Sequence, residues 1–358
     1  MSHKFPCISC GAFLVFTPGS QKLTCPYCDS ENEIPQDEQK SVEENDFYAT
    51  LKNLEEKPPA DAVETINELD CTACAASFSV GEHDTAGECP YCATPFVNQS
   101  HQEVCLKPQA LLPFKLQKEE AAKELSQWID SRWFAPSDLT QISRQGKTNG
   151  IYLSHWTYDT LAITEYSGSR GEHYYVTESY TDSEGKRRTR QVRKTRWWPA
   201  YGTVSNNFDD ILIVANDSLP RKYTKELEPW DLPALVPYSP EYLAGFTSEK
   251  YHVGLFEGFQ MAQEESESEI KQTIRYDIGG DEQRIHNHFT DWQNITFKYI
   301  LLPVWVSSFR YRDKVYNIVI NARTGEVQGE RPYSIMKITL AVIATLLLIA
   351  GIIFIANK

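Results

Sequence analysis

Cys7-Ile-Ser-Cys10, followed after fourteen residues by Cys25-Pro-Tyr-Cys28, and Cys71-Thr-Ala-Cys74, followed after fourteen by Cys89-Pro-Tyr-Cys92, set the reading of this chain. The four cysteines of the first set recur in the second at an offset of 64 residues, together with the Pro-Tyr of the second knuckle, so an internal repeat is expected. Two CxxC turns offer four soft thiolates that close tetrahedrally on Zn²⁺. Four sulfurs leave no position for water, which makes such a site structural rather than catalytic. A module this short cannot fold on a hydrophobic core alone, so its metal is part of its folding energy. The expectation is two small N-terminal zinc ribbons, residues 1–30 and 69–98, holding two Zn²⁺ through Cys7, Cys10, Cys25 and Cys28 and through Cys71, Cys74, Cys89 and Cys92. Iron fits the same sulfur cage less well. Disulfides suit an exported chain, and the segment from Met1 to Cys7 carries no apolar leader. The ninth cysteine, Cys105, reads as a simple buried or idle thiol.

The 358 residues carry a formal charge of −14, concentrated between Asp29 and Asp70. With Pro35 and Pro58-Pro59 in the same stretch, residues 31–68 read as a solvated acidic linker, in which Phe47, Leu51 and Leu54 form one short amphipathic turn. The first ribbon has only Lys4 and Lys22 as bases. The second has Glu82, Asp84 and Glu88 with no Lys or Arg. Acidic surfaces repel a phosphate backbone, so the ribbons are expected to meet protein rather than DNA.

Residues 106–334 read as a central, mainly antiparallel α+β domain. A helix is expected over 118–133 with Ala122, Leu125, Trp128, Ile129 and Trp133 on one face. Ser239-Pro240 opens a helical block continued over about 254–278. Runs rich in β-branched and aromatic residues predict strands over 151–162, 174–180, 190–201, 211–214, 297–311 and 314–320, with a hairpin turn at Asp182-Ser-Glu-Gly185. Leu153-Ser-His-Trp156 and Leu302-Pro-Val-Trp305 look alike, as if one strand motif were used twice. The chain closes with a transmembrane helix over 337–356, whose last nineteen residues carry no charge. Nineteen helical residues span about 28 Å, close to the thickness of a bilayer core. Arg331 and Lys337 precede this helix and only Asn357 and Lys358 follow it, which favours a cytoplasmic bulk and a single-pass C-terminal anchor.

The hairpin 186–198 places Lys186, Arg187, Arg188, Arg190, Arg193, Lys194 and Arg196 within eleven residues, followed by Trp197 and Trp198. Three readings stand side by side: a solvated face laced with ion pairs to Glu172, Glu178, Asp182 and Glu184, a patch for anionic lipid, and a nucleic-acid surface with Tyr174 and Tyr175 stacking on bases. No catalytic constellation is visible. Gly146-Lys-Thr148 lacks the first glycine of a phosphate loop, since position 141 is Gln141. His286 and His288, near Asp277, Asp281 and Glu282, are the remaining candidates for a metal site, with surface or capping roles the plainer reading. The chain is not expected to be an enzyme.

Leu112-Pro-Phe, Trp133-Phe-Ala-Pro136, Thr189-Arg-Gln-Val-Arg-Lys-Thr-Arg196, Leu227-Glu-Pro-Trp-Asp231, Tyr242-Leu-Ala-Gly-Phe246, Asp277-Ile-Gly-Gly-Asp-Glu-Gln283 and Asn321-Ala-Arg-Thr-Gly-Glu326 carry a further likeness. Through them the chain resembles a family of bacterial membrane-anchored zinc-ribbon proteins, often labelled as related to primosomal protein N-prime (replication factor Y). Some members are encoded beside phage-shock and SPFH proteins. The resemblance implies an adaptor at the bacterial inner membrane that presents ribbons to a protein partner. The helicase-like label would instead imply a replication-related nucleic-acid role through the hairpin. A helicase motor needs a phosphate-binding loop, which is not seen here.

Overall fold

The computed structural model describes residues 5–35, 42–56, 59–60, 62–81, 84–312 and 314–356. The expectations placed on Lys4, Glu82, Asn357 and Lys358 lie outside them. The first four-cysteine module carries β1 (Val15–Phe16), β2 (Lys22–Thr24) and β3 (Glu31–Glu33) in one antiparallel sheet. After β4 (Asn45–Asp46) and α1 (Phe47–Glu56), the second module is built on β5 (Val63–Asp70), which pairs with β6 (Ser77–Ser79) and β9 (His101–Leu106). Between those two, β7 (Ala86–Glu88) pairs with β8 (Pro95–Val97). Next come β10 (Ala110–Leu111), α2 (Lys118–Asp130), α3 (Leu139–Gln145), β11 (Lys147–Thr181), β12 (Arg187–Val214), α4 (Arg221–Lys225), β13 (Val236–Pro237) and β14 (Thr247–Ser248). The chain then runs through α5 (Leu255–Ile278), β15 (Glu282–Tyr311), β16 (Lys314–Asn321) and β17 (Val327–Gly329) to α6 (Ile335–Ala356).

The strands expected over 151–162 and 174–180 are one strand, β11, of 35 residues, and those over 190–201 and 211–214 are one strand, β12, of 28. Their polar joins lack an apolar run, yet their backbone groups are paired by neighbours, which local composition does not report. The central sheet follows the order β12-β11-β15-β10-β13, mostly antiparallel, with β10 parallel to β15. Leu153 lies directly opposite Leu302, so the two similar tetrapeptides occupy neighbouring strands. Register shifts fall at one level across β12, β11 and β15, near Asp159, and Asp210 and Asn294 take left-handed φ of 54° and 52° there. Such bulges bend a sheet. At the bend the buried Lys298 ammonium reaches Asp210 at 2.8 Å, Glu44 at 3.1 Å and Asp159 at 3.7 Å.

Both faces of the sheet are covered. In β11, Tyr152, Trp156 and Tyr158 point into one core and Ile151 and Leu153 into the other. In β15, Leu301 and Trp305 alternate with Ile300, Leu302, Val304 and Val306 in the same way. Helices α2 and α5 and the first module, through Leu14, Phe16 and Leu23, close the first core. The second module, through Leu69, Phe78 and Tyr91, closes the second together with Leu219, Leu227 and Trp230.

Three expectations are corrected. The segment 31–68 is not a free linker over its described part. Phe47 is buried at 5.0 Å from the Phe259 ring, β4 pairs with Thr296 and Phe297, and β5 belongs to the second module's sheet. The amphipathic turn expected at Phe47, Leu51 and Leu54 is present as α1, packed on the first core, while the acidic residues hide the strand β5. Helix α2 stops at Asp130 and buries Ala121, Leu125 and Ile129, leaving Ala122 and Trp133 exposed. Ser239-Pro240 opens only a short 3-10 turn, Pro240–Leu243. Helix α6 is 22 residues long, carries Lys337 as its one charged residue, and buries none of its residues. It is long and apolar enough to cross a membrane.

Candidate metal centres

Each CxxC turn is built the same way. Gly11, Asp29, Ala75 and Ala93, the residues directly after the second cysteine of each turn, all take left-handed φ between 55° and 76°. Their N–H groups donate to the carbonyls of Cys7, Cys25, Cys71 and Cys89 at 2.8 to 3.0 Å. Left-handed backbone is costly for a residue with a Cβ, so three of these four positions accept strain in order to aim two sulfurs at one point. The position after a CxxC was not singled out from sequence, because only Gly11 has the residue type that announces a positive φ.

The sulfurs converge as pairs across the knuckles. Cys7 and Cys28 are 3.7 Å apart and Cys10 and Cys25 3.5 Å; Cys71–Cys92 and Cys74–Cys89 are both 3.6 Å. All four sulfurs of each cluster lie within 4.8 Å of one another, and all nine cysteines are free thiols. An ion bound at the Zn–thiolate distance of about 2.3 Å sits in a tetrahedron with edges of about 3.8 Å. The two clusters therefore fit a metal ion. Two sulfurs of each are buried, Cys7 and Cys25 in the first and Cys71 and Cys89 in the second, while Cys10, Cys28 and Cys74 are exposed and Cys92 is half-buried.

Hydroxyls at matched positions support sulfurs of both clusters. Ser30 Oγ lies 2.9 Å from Cys7 Sγ and 3.2 Å from Cys28 Sγ, and Thr94 Oγ1 lies 3.1 Å from Cys92 Sγ. Ser30 lowers the Cys7 thiol to about 6, and Cys89 Sγ lowers Cys74 to about 5. The contact between Cys74 and Cys89 raises Cys89 in turn, so it divides protons between the two sulfurs, whereas Ser30 lowers both Cys7 and Cys28 and favours the thiolate form that binds a metal. Cys105 is different: burial pushes its thiol up to about 12, and it stands apart from both clusters.

The modules are docked on the domain. Phe16 packs edge-on to Tyr242 at 5.2 Å, and its N–H donates to the Ala244 carbonyl. In the second module Tyr91 is fully buried, and Ser308 donates to its carbonyl at 2.5 Å. Beside it, the buried Glu249 carboxyl is pushed up to about 7 by desolvation. Glu68, expected in a solvated linker, is buried under this module and accepts from Lys250 at 2.9 Å, with His252 at 3.4 Å. By contrast, Tyr27, which matches Tyr91 in the first module, is 81% exposed, and Ile8 in the other CxxC turn of that module is 90% exposed.

Among the described residues, the groups of three or more His, Cys, Asp or Glu placed to hold an ion are these two. His286 and His288 lie on β15 rather than at the end of a helix, because Gly279 and Gly280, both at positive φ, stop α5 and reverse the chain. His286 Nε2 meets Ser169 Oγ at 2.8 Å and His288 Nε2 meets Glu267 at 2.9 Å, so the two rings serve different neighbours.

Beyond Gly171, where β15 begins, β11 and β12 continue as a two-stranded arm with partners Glu172↔Arg196 through Thr181↔Arg187. The seven cations do not form one patch. Arg188, Arg190, Lys194 and Arg196 share a face with Glu172 and Glu178, Arg187 and Arg193 point from the other, and Lys186 sits in the turn. On the first face Lys194 pairs with Glu178 at 2.9 Å, Arg196 lies over the Tyr174 ring at 5.1 Å and Arg190 over Tyr180 at 5.6 Å. Arg188 pairs with Asp182 at 2.6 Å.

No family model matches the chain, and no solved structure matches it. It is similar to the uncharacterized protein YdjG of Bacillus subtilis, 25% identical over 235 residues. That match covers 65% of this chain and 66% of the relative's length.

Proposed function

We infer that this chain is a membrane-anchored, zinc-binding adaptor. Each four-cysteine cluster takes one Zn²⁺, α6 crosses a bilayer once, and the first ribbon meets a protein partner. The exposure of Ile8 and Tyr27 carries this reading. Of the two matched ribbons, the second has its Tyr91 spent on the core, while the first offers an isoleucine and a tyrosine, one on each of its metal-stiffened turns. Rigid aromatic and aliphatic groups of this kind anchor protein interfaces. Thiolates held for metal suit a reducing compartment, which supports a cytoplasmic setting for the ribbons, and the resemblance to bacterial membrane-anchored zinc-ribbon proteins supports the inner membrane as the place of the anchor. The repeat of four cysteines and the Pro-Tyr then reads as one ribbon used twice, once for structure and once for contact.

The experiment is affinity purification of the full-length chain from detergent extract beside Ile8→Ala/Tyr27→Ala. The variant is expected to keep two zincs and the membrane fraction while losing the partner. Equal recovery of every co-purifying protein would sink the contact surface. The hairpin arm enters the same experiment as a control: retention on DNA or RNA that falls steeply with salt and vanishes with Arg187, Arg188, Arg190 and Arg193 replaced by Ala would favour the nucleic-acid role instead.

A further inference from the structure

At the root of α6 lies a cavity of about 530 Å³. Four cations line it, Arg132, Lys222, Lys314 and Arg331, against two acids, Glu226 and Glu330. Glu330 is taken by Lys314 at 2.8 Å, which leaves a cationic excess around the remaining space. Trp128 holds the two guanidinium groups in place, with Arg132 at 4.6 Å and Arg331 at 6.0 Å from its ring centre. Three buried nitrogens here, Trp128 Nε1, Arg132 Nε and Arg331 Nη1, have no hydrogen-bond partner among the described residues. All three are donors. A cavity lined by guanidinium groups and an excess of positive charge is shaped for an anion with several acceptor oxygens.

Its position says which anion. Tyr333, on the rim, is two residues from the start of α6. The turn after α2 is fastened to that start: Ser334 N–H donates to the Phe134 carbonyl at 2.7 Å and Lys337 Nζ to the Ala135 carbonyl at 2.8 Å. This fastening brings Trp133, 76% exposed, and the exposed Phe134 and Tyr333 to the level where α6 begins. Exposed aromatic rings at that level form the belt by which membrane proteins sit at the headgroup layer. We propose that this cavity binds the phosphate of an anionic phospholipid headgroup, with Arg132 and Arg331 as its principal donors and Lys222 at its rim. The proposal rests on the reading of α6 as a membrane span. Basic pockets beside a membrane helix recognise lipid phosphate in this way, and the planar guanidinium fork matches its oxygens.

The test uses the full-length chain in neutral detergent, titrated with a soluble short-chain phosphatidylglycerol, its phosphatidylcholine counterpart and inorganic phosphate. Saturable binding of the phosphatidylglycerol is expected. It should weaken about tenfold or more in Arg132→Gln/Arg331→Gln and stay unchanged in Arg190→Gln/Arg193→Gln on the arm. Equal binding of phosphatidylcholine, or an unaltered double variant, would overturn the site. Inorganic phosphate binding as tightly as the lipid would overturn the lipid assignment. If the double variant does not fold, Lys222→Gln on the exposed rim decides: weakening of about fivefold supports the site and no change refutes it. Flotation of the wild-type chain with pure phosphatidylcholine liposomes tests the membrane span separately. A chain that floats yet ignores phosphatidylglycerol rejects the headgroup site alone, and one that does not float rejects the span.

Discussion

Tyr91 fills the space between the second four-cysteine module and the sheet, while Tyr27, the residue 64 positions earlier, stands in solvent. Tyr91→Ala is expected to cost about 3–5 kcal/mol, the range for losing a buried aromatic ring. Tyr27→Ala should stay within about 0.5 kcal/mol, as exposed positions do. Urea unfolding midpoints of the two variants measure the difference, and equal losses would contradict the asymmetric docking of the modules. Nothing local in the sequence separates these tyrosines, since both stand in Cys-Pro-Tyr-Cys. What divides them is Ser308 and Glu249, which meet Tyr91 from far along the chain. The eight cysteines, on the other hand, were legible at once, because their spacing alone fixes which sulfurs can meet. Their left-handed hinge residues were not, for Asp29, Ala75 and Ala93 carry no glycine signature.

Helix α5 was readable from its apolar stripe and ends within a residue of expectation, since Gly254 and Gly279 bracket it. One position in it runs against helix propensity. Gly258 would gain about 1 kcal/mol as Ala in an isolated helix. Here the added methyl would press on the Tyr158 hydroxyl oxygen and the Trp156 ring, and Tyr158 donates to the Leu255 carbonyl at 2.7 Å. Gly258→Ala should therefore lower the melting temperature; a rise would mean that α5 shifts freely on the sheet. The long strands were less legible than the helix. Polar stretches of β11 such as Thr164 to Gly168 are strand because β12 and β15 flank them, a non-local fact. The same holds for β5 inside the acidic segment, whose charge conceals Ile66 and Leu69, whereas the apolar spacing of Phe47, Leu51 and Leu54 announced α1.

At the scale of the molecule the two four-cysteine modules are wall pieces of two cores on opposite faces of one sheet. Metal removal should then be felt by the whole domain. The purified chain is expected to carry about two metal ions, and stripping them with a strong chelator should lower the main calorimetric transition. An unchanged main transition after both ions leave would show that the modules fold and unfold on their own. The α+β class and the apolar C-terminal helix were visible in composition and periodicity. The two-sided sheet was visible only in hindsight, in unbroken apolar runs such as Tyr299 to Val306. That two-sidedness also governs how the gene can drift. One codon gained or lost in the middle of β15 would exchange the two cores, sending Trp305 where Val304 belongs. The distal arm is free of that constraint, so length variation among descendants should gather there, and in matched pairs, one residue on each strand.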